Sequence, residues 1–146
     1  MNLFGVLDVS GSALTAERQR AEIVTSNLAN AETTHTTEGG PYKRQMVVFE
    51  TSKPSASSFA RTFNGLRKEY ARGVTVQNIL ADTSPPLQRF EPSHPDADKQ
   101  GYVSYPAINP IEEMAELMEA ARAYEMNVAA VQATKGMISA SLDILR

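Results

Sequence analysis

The residues best suited by type and spacing to do chemistry lie in Pro92-Ser93-His94-Pro95-Asp96-Ala97-Asp98. One imidazole and two carboxylates so close together could ligate a divalent cation, or centre a small enzymatic module. The neighbouring residues favour a different use. Prolines flank His94 and Gly101 follows, so a rigid turn is expected, with Asp96 and Asp98 accepting local amides. A metal site would also need further ligands, which nothing nearby supplies. The other histidine, His35, lies in no nucleophile–base motif, and the chain has no cysteine for thiolate or disulfide chemistry. We therefore assign no catalytic residue, no metal ligand and no cofactor. Asn27 and Asn30 could be read as active-site amides, but are better read as residues at the end of a helix that bond across an interface.

The elements that would carry these residues follow from pattern. In the first 31 residues, positions 3, 7, 10, 14, 17, 21, 24, 28 and 31 step by four and three and are mostly apolar. Positions 114, 117, 121, 124, 128, 131, 135, 138, 142 and 145 do the same at the other end. Such steps keep residues on one side of a helix, so each end reads as a helix with a coiled-coil-like seam. The first helix is expected from about Leu3 to about Asn30, ended by the threonine-rich stretch before Gly39-Gly40-Pro41. The second starts sharply, with Asn109 as N-cap, Pro110 in the first helical position and Glu112 three residues after the cap. Glu112, Glu113 and Glu116 also complement the positive end of its dipole.

Between the helices the chain favours short strands. They are expected at Tyr42–Glu50, Gly73–Leu80, Leu87–Glu91 and Tyr102–Tyr105, with residues 51–66 as an exposed, mobile insertion. The fold class is thus mainly α with a small β-rich middle, the two terminal helices packed as a coiled-coil-like pair. By segment, 1–31 is the N-terminal helix, 32–108 an extended loop and β-rich part, and 109–146 the C-terminal helix.

Charge and hydropathy exclude several function classes. Net charge is −3 at pH 7, and Arg67-Lys68-Glu69-Tyr70-Ala71-Arg72 is broken by an acid, so no nucleic-acid partner is expected. The start lacks a basic region before its apolar run, unlike a cleaved signal peptide. Lys135 and Asp143, with several small polar residues, argue against a membrane span at the C-terminal end, since a central charge costs about 2.5–3.5 kcal/mol.

Helices of about 30 and 36 residues span on the order of 45–54 Å, longer than a compact domain of this size requires. The second carries more apolar surface than one partner helix can cover: Ala129 and Ala133 widen it beyond the seam. A monomeric helical-hairpin adaptor is one possible form. The stronger reading is a subunit whose helices are completed by neighbours in a ring or open polymer. The expected interface residues are Leu14, Val24, Asn27, Leu28 and Asn30, together with Met114, Leu117, Ala121, Tyr124, Val128, Val131, Ile138 and Leu142.

Several segments resemble those of a known family. Ser26-Asn27-Leu28-Ala29-Asn30-Ala31-Glu32-Thr33-Thr34 is similar to the Asn-x-Ala-Asn-x-x-Thr signature of bacterial flagellar axial proteins. Glu38-Gly39-Gly40-Pro41-Tyr42, Val48-Phe49-Glu50, His94-Pro95-Asp96-Ala97-Asp98, Gly101-Tyr102-Val103, Asn109-Pro110 and Arg122-Ala123-Tyr124-Glu125 resemble the proximal-rod members of that family. The resemblance implies a structural subunit without enzyme activity, exported through the flagellar type III gate without a cleaved signal peptide. It also implies assembly in the periplasmic rod, with copies of itself, other rod proteins and the membrane ring at the rod base as partners. Terminal helices would then line an inner layer and the middle segment an outer one, forming a shaft that transmits torque in swimming motility.

Overall fold

In a computed structural model, residues 3–52 and 72–144 are described. Two long helices bracket four short strands: α1 (Leu3–Ala29), β1 (Gln45–Thr51), β2 (Val74–Ala81), β3 (Leu87–Phe90), β4 (Tyr102–Tyr105) and α2 (Pro110–Ile144). At 1.5 Å per residue the helices are about 40 and 53 Å long. The expected architecture is therefore present, and the element ends fall within a few residues of their expected positions. Most of the 51–66 insertion lies outside the described residues.

The start of α2 forms as its sequence requires. Asn109 Oδ1 accepts the Ile111 amide at 3.1 Å, and its carbonyl accepts the Glu113 amide at 3.1 Å. Glu112 Oε1 accepts from Asn109 Nδ2 at 3.1 Å, so the box closes through the cap's side chain rather than its backbone amide.

The strands make two separate two-stranded sheets, β1 with β2 and β3 with β4. In the second, Leu87 pairs with Tyr105 and Phe90 with Tyr102, antiparallel. Beside the first, the Ser52 amide donates to Gly73 O at 2.8 Å and the Asp82 amide to Arg44 O at 2.7 Å, which makes that ladder antiparallel as well. The loop between β3 and β4 turns at Gly101, whose φ of +85° favours glycine and whose missing Cβ leaves room for the Phe90 ring.

The chain forms two compact units, and both long helices contribute to each. One comprises Met1–Gln19, Phe49–Gln77 and Ala121–Arg146, the other Arg20–Val48 and Asn78–Ala120. In the first, Gly73 is buried against α1. A Cβ there would collide with Ser12 Oγ, the oxygen that accepts the Val74 amide at 3.0 Å and donates to Val9 O. Ser10, Ala16 and Thr134 are also buried in this unit. In the second, Val24, Val103, Tyr105, Pro106, Ile108 and Ala120 form the apolar core. Here Arg20 lies 3.6 Å from Glu119, and Asn27 bonds Glu113. As one helix number rises the other falls, so within this unit the helices run antiparallel.

The expected helix stripes fare differently. Every described position of the α1 stripe is at least half-buried. On α2 the buried line instead runs through Glu113, Ala120 and Thr134, with Leu117, Val128, Val131 and Ile138 half-buried. Met114, Ala121, Tyr124 and Leu142, expected on the seam, are exposed in the single chain. Two of the three buried positions are polar, so a count of apolar residues misplaces the inward side by about one residue.

Candidate functional site

At the end of α1 the sequence places two asparagines one helical turn apart, and the structure gives each a separate task. Asn30 Nδ2 donates to Ser26 O at 2.9 Å, satisfying a carbonyl that the ending helix leaves free, while its Oδ1 accepts from Thr33 Oγ1 at 3.2 Å. The Thr33 carbonyl then accepts the Tyr42 amide at 3.0 Å, returning the chain toward β1.

Asn27 is fully buried, and its amide is fully used. Its Nδ2 donates to Gln45 O at 2.8 Å and its Oδ1 accepts from Gln45 N at 2.9 Å, pairing the first residue of β1 as a neighbouring strand would. The second donor proton goes to Glu113 Oε2 at 3.1 Å, and Tyr42 Oη donates to Oδ1 at 3.1 Å. An asparagine side chain offers two donors and two acceptor lone pairs, and all four are engaged. Within the chain, Asn27 thus bonds Gln45, Tyr42 and Glu113, and Asn30 bonds Ser26 and Thr33.

Glu113 completes the cluster. Its carboxylate is 0% exposed, which an unpaired acid could not sustain. Arg44 Nε donates to its Oε1 at 2.5 Å, and Arg44 Nη2 donates to Glu116 Oε1 at 2.7 Å. Burial works against the charged guanidinium, but bonds to Glu113 and then Glu116 outweigh it and hold the Arg44 pKa above its ordinary value. Glu113 and Glu116 therefore answer a specific cation as well as the helix dipole. Sequence reading missed this group because its members stand far apart in the chain. The one available signal was a lone arginine opening a strand and an acidic helix start long enough to meet it.

The His94 segment forms the rigid turn. His94 Nδ1 accepts the Asp96 amide at 3.1 Å, Asp98 Oδ1 accepts the amides of Gln100 and Tyr102, and Asp96 Oδ2 accepts from Thr34 Oγ1 at 2.7 Å. Asp96 thus ties the turn to the loop after α1 rather than to a local amide. Among the described residues, no three His, Asp or Glu side chains are arranged to hold a metal ion.

Nearby, Tyr105 Oη donates to Glu91 Oε2 at 2.9 Å, and the Arg89 guanidinium lies 4.7 Å from its ring centre. The bond to Glu91 and then burial raise the phenol pKa above its ordinary value. A raised folded-state pKa means that this stabilisation is complete below the unfolded value, about 10, and is lost as pH rises through the folded one. Alkaline unfolding should therefore show a loss that Tyr105→Phe lacks, measured by denaturant midpoints on either side of that pH.

What these features can do is hold the end of α1, the start of β1 and the start of α2 together; none of them presents a nucleophile or an open ligand position. Comparison with known proteins shows where the arrangement belongs. Residues 7–34 match the family model for flagella basal body rod proteins, and residues 99–144 match that for the C-terminal region of flagellar basal body rod FlgEFG proteins. The chain is 40% identical over 148 residues to the flagellar basal-body rod protein FlgC of Bacillus subtilis, with 99% of each chain covered. It is 37% identical over 155 residues to FlgC of Borreliella burgdorferi, covering 100% of this chain and 99% of that one. With FlgC of Escherichia coli O6:H1 the identity is 33% over 144 residues, covering 99% and 98%. The chain belongs to the FlgC family of basal-body rod proteins. Asn27 falls in the first of the two matched segments and Glu113 in the second, so in this FlgC-family chain their hydrogen bond joins the two. Among the described residues no helix is long and apolar enough to cross a membrane.

Proposed function

We propose that this chain is a structural subunit of the flagellar basal-body rod, which polymerises through its terminal helices into the shaft that carries torque from motor to hook and filament. Full-length identity to FlgC proteins carries this reading. The exposed apolar residues along α2 support its helical mode of assembly: Ile111, Met114, Met118, Tyr124 and Leu142 stand in solvent in the single chain. So do the small residues Ala129, Ala133, Gly136 and Ala140, which follow one another at helical spacing and would let another helix approach closely. Surface of that kind on a soluble subunit is best accounted for by neighbours that cover it.

In this reading the helices form the inner layer and residues 32–108 the outer. The partners are further copies, other rod proteins and the ring or export gate at the rod base. The place of action is the periplasm, reached without a cleaved signal peptide, and no reaction is catalysed. Stiffness would come from many desolvated helix contacts per subunit, with the Asn27–Glu113–Arg44 cluster fixing the end of α1 against the start of α2.

Charged substitutions at exposed α2 positions test the reading without disturbing the fold. Ala121→Glu and Ala133→Glu keep good helix formers on solvent-facing positions, so far-UV circular dichroism and export should stay normal. Rod assembly and swimming should be lost. Normal motility in both variants would count against this face as the assembly surface.

A further inference from the structure

Sulfur in this chain is confined to six methionines, since there is no cysteine. Methionine is among the residues most often buried, yet all five described ones are exposed. Four are on α2: Met114 at 55%, Met118 at 56%, Met126 at 67% and Met137 at 48%. They stand off the buried line of Glu113, Ala120 and Thr134, and the fifth, Met46, lies at 39% in β1. Placed there, their thioethers hold up no core. They have the access that oxidation requires.

We propose that Met114, Met118, Met126 and Met137 are a modification site for peroxide-class oxidants in the free subunit, and that their oxidation blocks assembly while leaving the fold intact. The thioether sulfur attacks one oxygen of hydrogen peroxide; an S–O bond forms and the O–O bond breaks. The sulfur loses two electrons, the peroxide is reduced to water, and the side chain becomes a sulfoxide. A flexible apolar side chain is thereby turned into a polar one on the surface that neighbours must desolvate. Oxidation before assembly should remove subunits from the growing polymer, whereas assembled subunits should be shielded. The assembly half of this inference rests on the function proposed above; the reactivity half rests on exposure alone.

The test treats the purified full-length protein with hydrogen peroxide and follows each methionine by peptide mass spectrometry. The four α2 methionines should oxidise within about threefold of the rate of a short unstructured methionine peptide. Far-UV circular dichroism should not change, and sedimentation should show self-association lost. Reducing the sulfoxides with methionine sulfoxide reductases of both epimer specificities should restore self-association, without any change of sequence. Rates more than about tenfold below the peptide, or unfolding on oxidation, would overturn the assignment. So would treated protein that associates normally, or association that does not return once the sulfoxides have been reduced. If untreated protein does not associate at all, the assembly reading fails, and the oxidation rates alone decide the reactive-site assignment.

Discussion

Replacing Glu113 with alanine should destabilise the protein by about 3–5 kcal/mol, a large part of the roughly 5–15 kcal/mol that holds a domain together. The carboxylate is buried and serves two partners at once. Without it, Arg44 keeps a charge with only 20% of its side chain in solvent, and one Asn27 donor proton faces a void. Arg44 retains Glu116, which is 38% exposed and only partly replaces the loss, so the lower half of that range is expected. Urea unfolding followed by circular dichroism gives the number. The double variant Glu113→Leu with Arg44→Met is the informative control. Removing both charges together should recover much of the loss, because a buried pair costs nearly as much to desolvate as it returns. A double variant as unstable as the sum of the singles would show that the two residues act independently.

Asn27→Asp should be almost as damaging, although it changes a single heavy atom. The introduced carboxylate would turn acceptor oxygens toward the Gln45 carbonyl, now 2.8 Å from Nδ2, and toward Glu113 Oε2 at 3.1 Å. Two carboxylates that close in a buried setting cannot both stay ionised, so the variant should take up a proton on folding. We expect a loss of about 3 kcal/mol or more near pH 7, with a distinctive pH dependence. The pair's folded-state pKa would be raised above the unfolded carboxylate value of about 4, so the missing stability should return as pH falls toward that value and disappear as pH rises through the folded one. Native protein lacks this feature, and urea midpoints between acid and neutral pH, variant against native, measure it. A variant deficit that stays flat across that range would contradict the placement of Asn27 against Glu113.

Both predictions concern residues whose roles were hard to see in the sequence. Asn27 and Asn30 stood out by spacing, but their partners did not, because Glu113 is 86 positions from Asn27 and 69 from Arg44. Nothing local marks a pairing over such a distance. The N-cap at Asn109, the turn around His94 and all four strands were legible because their causes lie within a few residues: a cap side chain, flanking prolines, β-favouring runs. The α1 stripe was legible for a related reason, since one side of that helix is both apolar and buried.

On α2 the same rule held in part: Leu117, Val128, Val131 and Ile138 are half-buried. Met114, Tyr124 and Leu142 are apolar and exposed, while Glu113 and Thr134 are polar and buried. Apolar spacing records every surface a helix must eventually hide, including any that a neighbour covers; it does not say which is hidden within the chain. By itself, then, the sequence determined two long helices, a strand-rich middle and the family, all of which depend on short-range pattern or whole-chain likeness. Only the tertiary structure decided that Asn27 pairs with the start of β1 and that Glu113 is buried beneath Arg44. It also decided which side of α2 faces inward. Those choices depend on long-range partners that make a buried charge or amide tolerable, and partners become visible only once the chain is folded.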